Sequence, residues 1–180
     1  DQLISTNTHD NMLFFTSRGR VFQMMAYDVP QATRTSKGQA IVNFLQLAPN
    51  EKLSAVLSVT DMSKYKFLVM VTNRGTIKKS SLEDFSNVRR SGLIALKLKE
   101  DDMLEWVRPS VGKDDIMLVT SGGQAIRFKE ANVRPMGRTA SGVRGMRLKG
   151  SDRIVGMDVI SPELVSRKVL ELLVVSENGL

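Results

Sequence analysis

The stretch Thr16-Ser17-Arg18-Gly19-Arg20 (TSRGR) returns as TNRGT at Thr72–Thr76, TSGGQ at Thr120–Gln124 and SENGL at Ser176–Leu180. The turn glycines Gly19, Gly75, Gly123 and Gly179 stand 56, 48 and 56 residues apart, each three positions after Thr16, Thr72, Thr120 or Ser176. A second glycine follows the first three, at Gly38, Gly92 and Gly142, with offsets of 19, 17 and 19. Two landmarks in phase define an internal repeat of about 50 residues, a period that marks repeated architectures.

The flanks of each turn read as strands. Before it lies a run rich in apolar and β-branched residues: MLFFT (Met12–Thr16), KFLVMVT (Lys66–Thr72), DIMLVT (Asp115–Thr120) and VLELLVVS (Val169–Ser176). After it comes RVFQM, TIKKS or QAIRF, short enough to be the returning strand of a hairpin whose glycine supplies the positive φ. Alternation resumes after the second glycine in LIALKLK (Leu93–Lys99) and VRGMRLK (Val143–Lys149). A fourth strand follows a polar turn, as KLSAVLSV (Lys52–Val59), MLEWVRPS (Met103–Ser110) or RIVGMDVI (Arg153–Ile160). The pattern predicts an all-β, propeller-like architecture of four-stranded antiparallel blades, which leaves few exposed sheet edges. The predicted blades span residues 1–62, 63–112 and 113–162, and residues 163–180 begin a fourth. SPELVSRKV (Ser161–Val169) has room for a turn of helix, and the chain stops directly after the fourth turn glycine, as a piece of a longer wheel would.

Composition bounds the function. The 180 residues are 42% hydrophobic and 25% charged, enough for a sizeable core. With no cysteine there is no disulfide framework and no Cys-ligated zinc, a usage compatible with a reducing cytosol. No amino-terminal run resembles a signal peptide, and no apolar run nears the roughly 20 residues of a membrane-spanning helix. The formal charge of +7 and the pI near 9.9 favour a polyanionic partner, nucleic acid first.

The charge is also placed in phase with the repeat. Arg127, Lys129, Arg134, Arg138, Arg144, Arg147, Lys149 and Arg153 fall in one run against Glu130 and Asp152 alone. Arg74, Lys78, Lys79, Arg89, Arg90, Lys97 and Lys99 fall in another against Glu83 and Asp84, whereas Glu100, Asp101, Asp102, Glu105, Asp114 and Asp115 gather elsewhere. Equivalent positions in successive blades then form a basic stripe, with Arg134, Arg138, Arg144, Arg147, Arg89 and Arg90 on one outer face. Such a stripe suits a phosphate backbone.

Catalytic constellations are poorly supplied. His9 is the only histidine and reads as a hydrogen-bonded residue entering the first strand, not as part of a triad or a metal site. The carboxylates of Glu100-Asp101-Asp102 and Asp114-Asp115 are of the kind that holds Mg²⁺, yet in predicted turns they read as solvated. Gly122-Gly123 lacks the Gly-Lys-Ser/Thr ending of a phosphate loop, and Gly142–Gly145 has a GxxG outline without flanking helical periodicity. Tyr27 and Tyr65 stand alone. No catalytic residue, metal site or cofactor is expected within this chain.

Four long segments carry a family resemblance: NTHDNMLFFTSRGRVFQM (Asn7–Met24), VPQATRTSKGQAIVNFLQL (Val29–Leu47), TNRGTIKKSSLEDF (Thr72–Phe85) and RFKEANVRPMGRTASGVRGMRL (Arg127–Leu148). Together they resemble the carboxy-terminal domain of the A subunit of bacterial DNA gyrase, with the topoisomerase IV domain as its close relative. Asn7–Asp10 and Arg18–Val21 look more like gyrase. The resemblance implies a six-bladed β-pinwheel whose blades exchange strands and whose convex basic rim bends and wraps duplex DNA. It also implies a cytoplasmic A2B2 holoenzyme, an ATP-dependent type II topoisomerase, whose cleaving tyrosine, ATP and Mg²⁺ sites lie outside this chain. The family's QRRGGKG box, needed for chiral wrapping, is not in the sequence. The expected DNA contacts are Arg18, Arg20, Arg34, Lys37, Arg74, Lys78, Lys79, Arg89, Arg90, Arg127, Lys129, Arg134, Arg138, Arg144 and Arg147. Two other classes fit the composition less well: a protein-binding propeller scaffold, and an RNA-binding β domain, for which 6% aromatic residues leave little base stacking.

Overall fold

Three hairpins repeat one hydrogen-bonded turn. The computed structural model describes residues 3–33, 35–59, 64–167, 171–173 and 175. Strands β1 (Asn11–Thr16) and β2 (Arg20–Met25) flank Gly19, β4 (Phe67–Thr72) and β5 (Thr76–Ser81) flank Gly75, and β8 (Asp115–Thr120) and β9 (Ala125–Lys129) flank Gly123. At each turn the glycine N–H donates to the threonine carbonyl three residues back, over 2.9 Å for Gly19, 3.0 Å for Gly75 and 3.0 Å for Gly123. The N–H that follows the glycine donates to the same threonine's hydroxyl oxygen: Arg20 to Thr16 at 3.3 Å, Thr76 to Thr72 at 3.1 Å and Gln124 to Thr120 at 3.2 Å. A hydroxyl both accepts and donates, so threonine closes the turn and still has a proton to place.

That proton goes to a carboxylate that returns with the repeat. Thr16 Oγ1 donates to Glu51, and Thr72 Oγ1 donates to Asp102 over 2.9 Å. In the third hairpin Asp152 accepts from Ser121 Oγ at 2.7 Å and the Gly122 N–H at 2.8 Å. Hydrogen bonds from Ser121 and Thr120 hold its carboxyl below the usual aspartate range. Asp102 is thus buried and bonded, not solvated as its acidic surroundings suggest. Asp114 and Asp115 are buried as well: Asp114 accepts from the Val111 N–H at 2.8 Å, and Asp115 pairs with Lys129 at 2.8 Å. Burial raises the Asp114 pKa, and the nearby Glu130 and Asp115 charges add to the rise.

The remaining strands are β3 (Leu53–Ser58), β6 (Leu93–Ile94), β7 (Leu104–Ser110), β10 (Val143–Arg144) and β11 (Ile154–Ile160). They complete three antiparallel sheets in the orders β3-β1-β2-β6, β10-β5-β4-β7 and β11-β8-β9. The strand after the second glycine crosses to the preceding sheet instead of joining its own. Leu93 and Ile94 pair with Val21 and Arg20, and Val143 and Arg144 pair with Ile77 and Thr76. The next amides grip the turn itself: Ala95 and Leu96 donate to the Gly19 carbonyl over 2.8 and 3.0 Å, and Gly145 and Met146 donate to the Gly75 carbonyl over 2.8 and 3.2 Å. Glycine is therefore required twice over at Gly75, where φ is +81° and a Cβ would stand 2.8 Å from the Met146 carbonyl oxygen.

The buried apolar side chains gather in three cores, one of them Met12, Phe14, Phe22 and Leu45 on the first sheet and the other two on either side of β4. Side chains alternate along a strand. Leu68 and Met70 of β4 accordingly meet Leu13, Phe15, Val21 and Leu104, while Val69 and Val71 meet Ile77, Ile116, Leu118 and Ile154. A strand buried on both faces reads as a continuous apolar run, as FLVMV does. Helix α1 (Pro162–Ser166) occupies the predicted helical turn, with Pro162 in its first turn and the Ser161 side chain accepting from the Leu164 N–H. The expected strand at 169–176 is not formed at 171–173, which carries no regular structure; its other residues, apart from 175, and the fourth turn lie outside the described residues.

Candidate nucleic-acid interface

Docking of β10 on the second hairpin builds a basic cleft from two repeats. Arg74 comes from the Gly75 turn, Lys99 from the turn before β7, and Arg144, Arg147 and Arg153 from the third repeat. They line one open groove of about 740 Å³ with Asp101 and Asp152. Asp152 is engaged by the Gly122 turn, and Asp101 lies 3.9 Å from an exposed Arg74, so the groove keeps an excess of cationic donors. Guanidinium groups aimed at open solvent recognise phosphate with paired donors.

A second, smaller cleft brings together Arg89 and Arg138 with Asn87, Val88 and Leu93. Here too the two cations come from successive repeats. Arg90 faces a different hollow, 3.7 Å from Asp28. The residues expected in one stripe, Arg134 apart, are divided among three hollows: Arg144 and Arg147 lie with Arg74 in the first cleft, Arg138 with Arg89 in the second, and Arg90 in the third. Lys99 and Arg153, absent from the expected contacts, belong to the first cleft; their places in the two basic runs of the sequence were the signal for them.

The other expected contacts divide by what already holds them. Arg18 is exposed and donates to the Pro49 carbonyl at 2.7 Å. Arg20 is half-buried, 3.1 Å from Glu51 and 4.6 Å above the Phe22 ring, and donates to the Ser91 carbonyl at 3.0 Å. Arg127 and Lys129 both reach Asp115, at 3.6 and 2.8 Å. Lys37 and Arg134 are exposed, and Arg34 lies outside the described residues.

Lys78 and Lys79 are corrections. Both point into the protein, 0% and 4% exposed, and are not surface cations. Lys78 Nζ donates to the carbonyls of Ala95, at 2.7 Å, and Arg138. Burial lowers its pKa to about 8, against the opposing pull of Asp84. Lys79 Nζ donates to the Glu130 carbonyl at 3.1 Å, lies 3.5 Å from that residue's buried carboxylate and sits 4.9 Å from the Phe67 ring centre. In TIKKSS a lysine pair mimics a solvent-facing strand, while the loop of the next repeat covers it. His9 also departs from expectation: it is exposed, its ring meets Tyr27 edge-on at 6.0 Å, and among the described residues its side chain makes no hydrogen bond to the first strand.

Comparison with known proteins gives a consistent picture. The family model for the DNA gyrase C-terminal domain, beta-propeller, matches residues 10–60, 66–110 and 114–161. The A subunit of DNA gyrase from Staphylococcus aureus (strain NCTC 8325 / PS 47) is 45% identical over 179 residues, 99% of this chain and 20% of that protein. The solved C-terminal domain of DNA topoisomerase IV superposes with a TM-score of 0.78 at 31% identity, covering 87% of this chain and 49% of that one. A DNA gyrase A C-terminal domain superposes with a TM-score of 0.68 at 25% identity, covering 86% and 49%. The chain therefore spans about a fifth of the length of the curated relatives it matches.

Proposed function

This chain belongs to the DNA gyrase C-terminal domain family, and from that premise we propose that it is a non-catalytic module that binds, bends and wraps duplex DNA for an ATP-dependent type II topoisomerase. The observation that carries the reading is the two-repeat cleft in which Arg74, Arg144, Arg147, Lys99 and Arg153 converge. Cations donated by successive repeats neutralise phosphates along a path set by the spacing of the sheets, and released counterions favour the complex. Bending 20–30 base pairs smoothly by 40–90° costs on the order of 1–6 kcal/mol, which several phosphate contacts offset. Such backbone contacts read little sequence.

In this reading the repeats are blades of roughly 1–62, 63–112 and 113–162, with a fourth beginning at 163, the second and third lending β6 and β10 to the blade before. The module acts with the rest of the gyrase A chain and with the B chain in a cytoplasmic A2B2 enzyme, and ATP and Mg²⁺ are used elsewhere in that assembly. The A chain of topoisomerase IV is the second reading, favoured by the higher structural likeness of 0.78.

The test is a fluorescence end-to-end measurement on a 30-base-pair duplex. The chain shortens the end-to-end distance on duplexes of unrelated sequence, and rising salt reverses the change. Binding that ignores salt would favour a protein-binding scaffold. In the full-length enzyme, ATP-driven introduction of negative supercoils supports gyrase, whereas relaxation and decatenation alone support topoisomerase IV.

A further inference from the structure

Lys78 is an anomaly within its own repeat. Its strand register places it opposite Met70, as Phe22 stands opposite Phe14 and Ile126 opposite Leu118. The other two hairpins thus put an apolar side chain where the second puts an ammonium. Phe22 is as fully buried as Lys78, so the position tolerates a large apolar group. A buried ammonium is costly unless its donors are used, and both carbonyls it meets belong to segments that join neighbouring repeats.

The first carbonyl is that of Ala95, whose own N–H donates to the Gly19 turn of the first hairpin over 2.8 Å. The second is that of Arg138, in the third repeat's approach to β10. The same approach is fastened nearby, where the Ala140 carbonyl accepts from the Lys97 N–H at 3.3 Å and Ser80 Oγ donates to the Met136 carbonyl at 2.7 Å. One ammonium on β5 therefore touches a segment docked on the first sheet and a loop from the third repeat. That loop carries the Arg138 side chain into the cleft it shares with Arg89.

We propose that Lys78 is a positioning residue for the DNA path: by gripping the Arg138 carbonyl from inside, it holds the Arg138 guanidinium in register with Arg89 across two repeats. The proposal rests on the DNA-binding reading above. Lys78 touches no DNA itself. Its depressed pKa, about 8, agrees with an ammonium held for its hydrogen bonds in a place that disfavours charge.

The experiment is a double-mutant cycle in the 180-residue chain, with affinity for a 30-base-pair duplex measured across a salt series. Arg138→Ala lowers the log-log salt slope by about one unit, the loss of one phosphate contact. Lys78→Met, apolar like its counterparts, produces the same loss while the chain still melts cooperatively. Lys78→Met adds nothing further once Arg138 is alanine. If the methionine variant does not melt cooperatively, Lys78→Gln, whose amide stops one atom short of the ammonium's reach and does not grip both carbonyls, replaces it and shows the same loss and the same non-additivity. A folded variant with unsubstituted affinity and slope overturns the inference, and so does full additivity with Arg138→Ala. Failure of the unsubstituted chain to bind DNA overturns the underlying reading and this inference with it.

Discussion

The second and third sheets are built on the same hairpin, and they end differently. Both turns place glycine at positive φ, +81° at Gly75 and +77° at Gly123, and both tie a threonine to a later aspartate. Yet β5 is buried along Ile77–Ser80, while β9 is exposed at four of its five positions. The Gly75 carbonyl receives two amides from the following repeat, whereas nothing described lies within 4 Å of a Cβ added at Gly123. The turn is a local product of its five residues; burial, the fourth strand and the cationic cleft are products of docking between repeats.

Substitutions at the two glycines strain this comparison most. Gly75→Ala combines a left-handed backbone with a Cβ that stands 2.8 Å from the Met146 carbonyl, so β10 must shift. We expect more than about 3 kcal/mol lost in urea unfolding, because to the intrinsic left-handed cost of roughly 1–2 kcal/mol is added a broken dock. Gly123→Ala suffers the first term alone. Equal losses would mean that β10 docking contributes little.

The threonines come next. Thr72→Ala takes the 2.9 Å donor from the buried Asp102 carboxylate and costs about 1–3 kcal/mol, while Thr120→Ala costs less because Asp152 is not buried and can take water in its place. Chemical denaturation of both variants orders them. A smaller effect separates Lys78 from its exposed counterpart Ile126. Between pH 8 and 10.5 the folded chain releases the Lys78 proton while the unfolded chain still holds it, so the unfolded state binds more protons and stability rises with pH. Relative to Lys78→Met, the unsubstituted chain should gain stability across that window; a parallel pair of pH profiles would show that the ammonium is not held at a cost.

Hairpins were legible in the sequence because a glycine turn and its flanking apolar runs are short-range signals, and their period exposed the repeat. Strand exchange was not legible in the pattern, since LIALKLK and VRGMRLK alternate equally well whichever sheet receives them, and only the family resemblance implied it. Arg74, Arg89, Arg138, Arg144 and Arg147 were singled out from phase and charge, and the structure gathers them in two clefts that each draw on two repeats. Lys78 and Lys79 were misread because the residues that cover them arrive from 60 and 51 positions downstream, beyond any local pattern. Asp102 hid in an acidic run, although Glu51 and Asp152 recur at nearly equal spacing on either side of it.

The central claim is that docking between repeats creates the DNA path, and the salt dependence of binding tests it most directly. Replacing Arg138, Arg144 and Arg147 together by alanine should weaken binding to unrelated duplexes alike and flatten the log-log salt slope by roughly two to three units, at about −0.9 for each phosphate contact. A triple variant that folds and keeps the slope of the unsubstituted chain would contradict the account and place the DNA path elsewhere on the molecule.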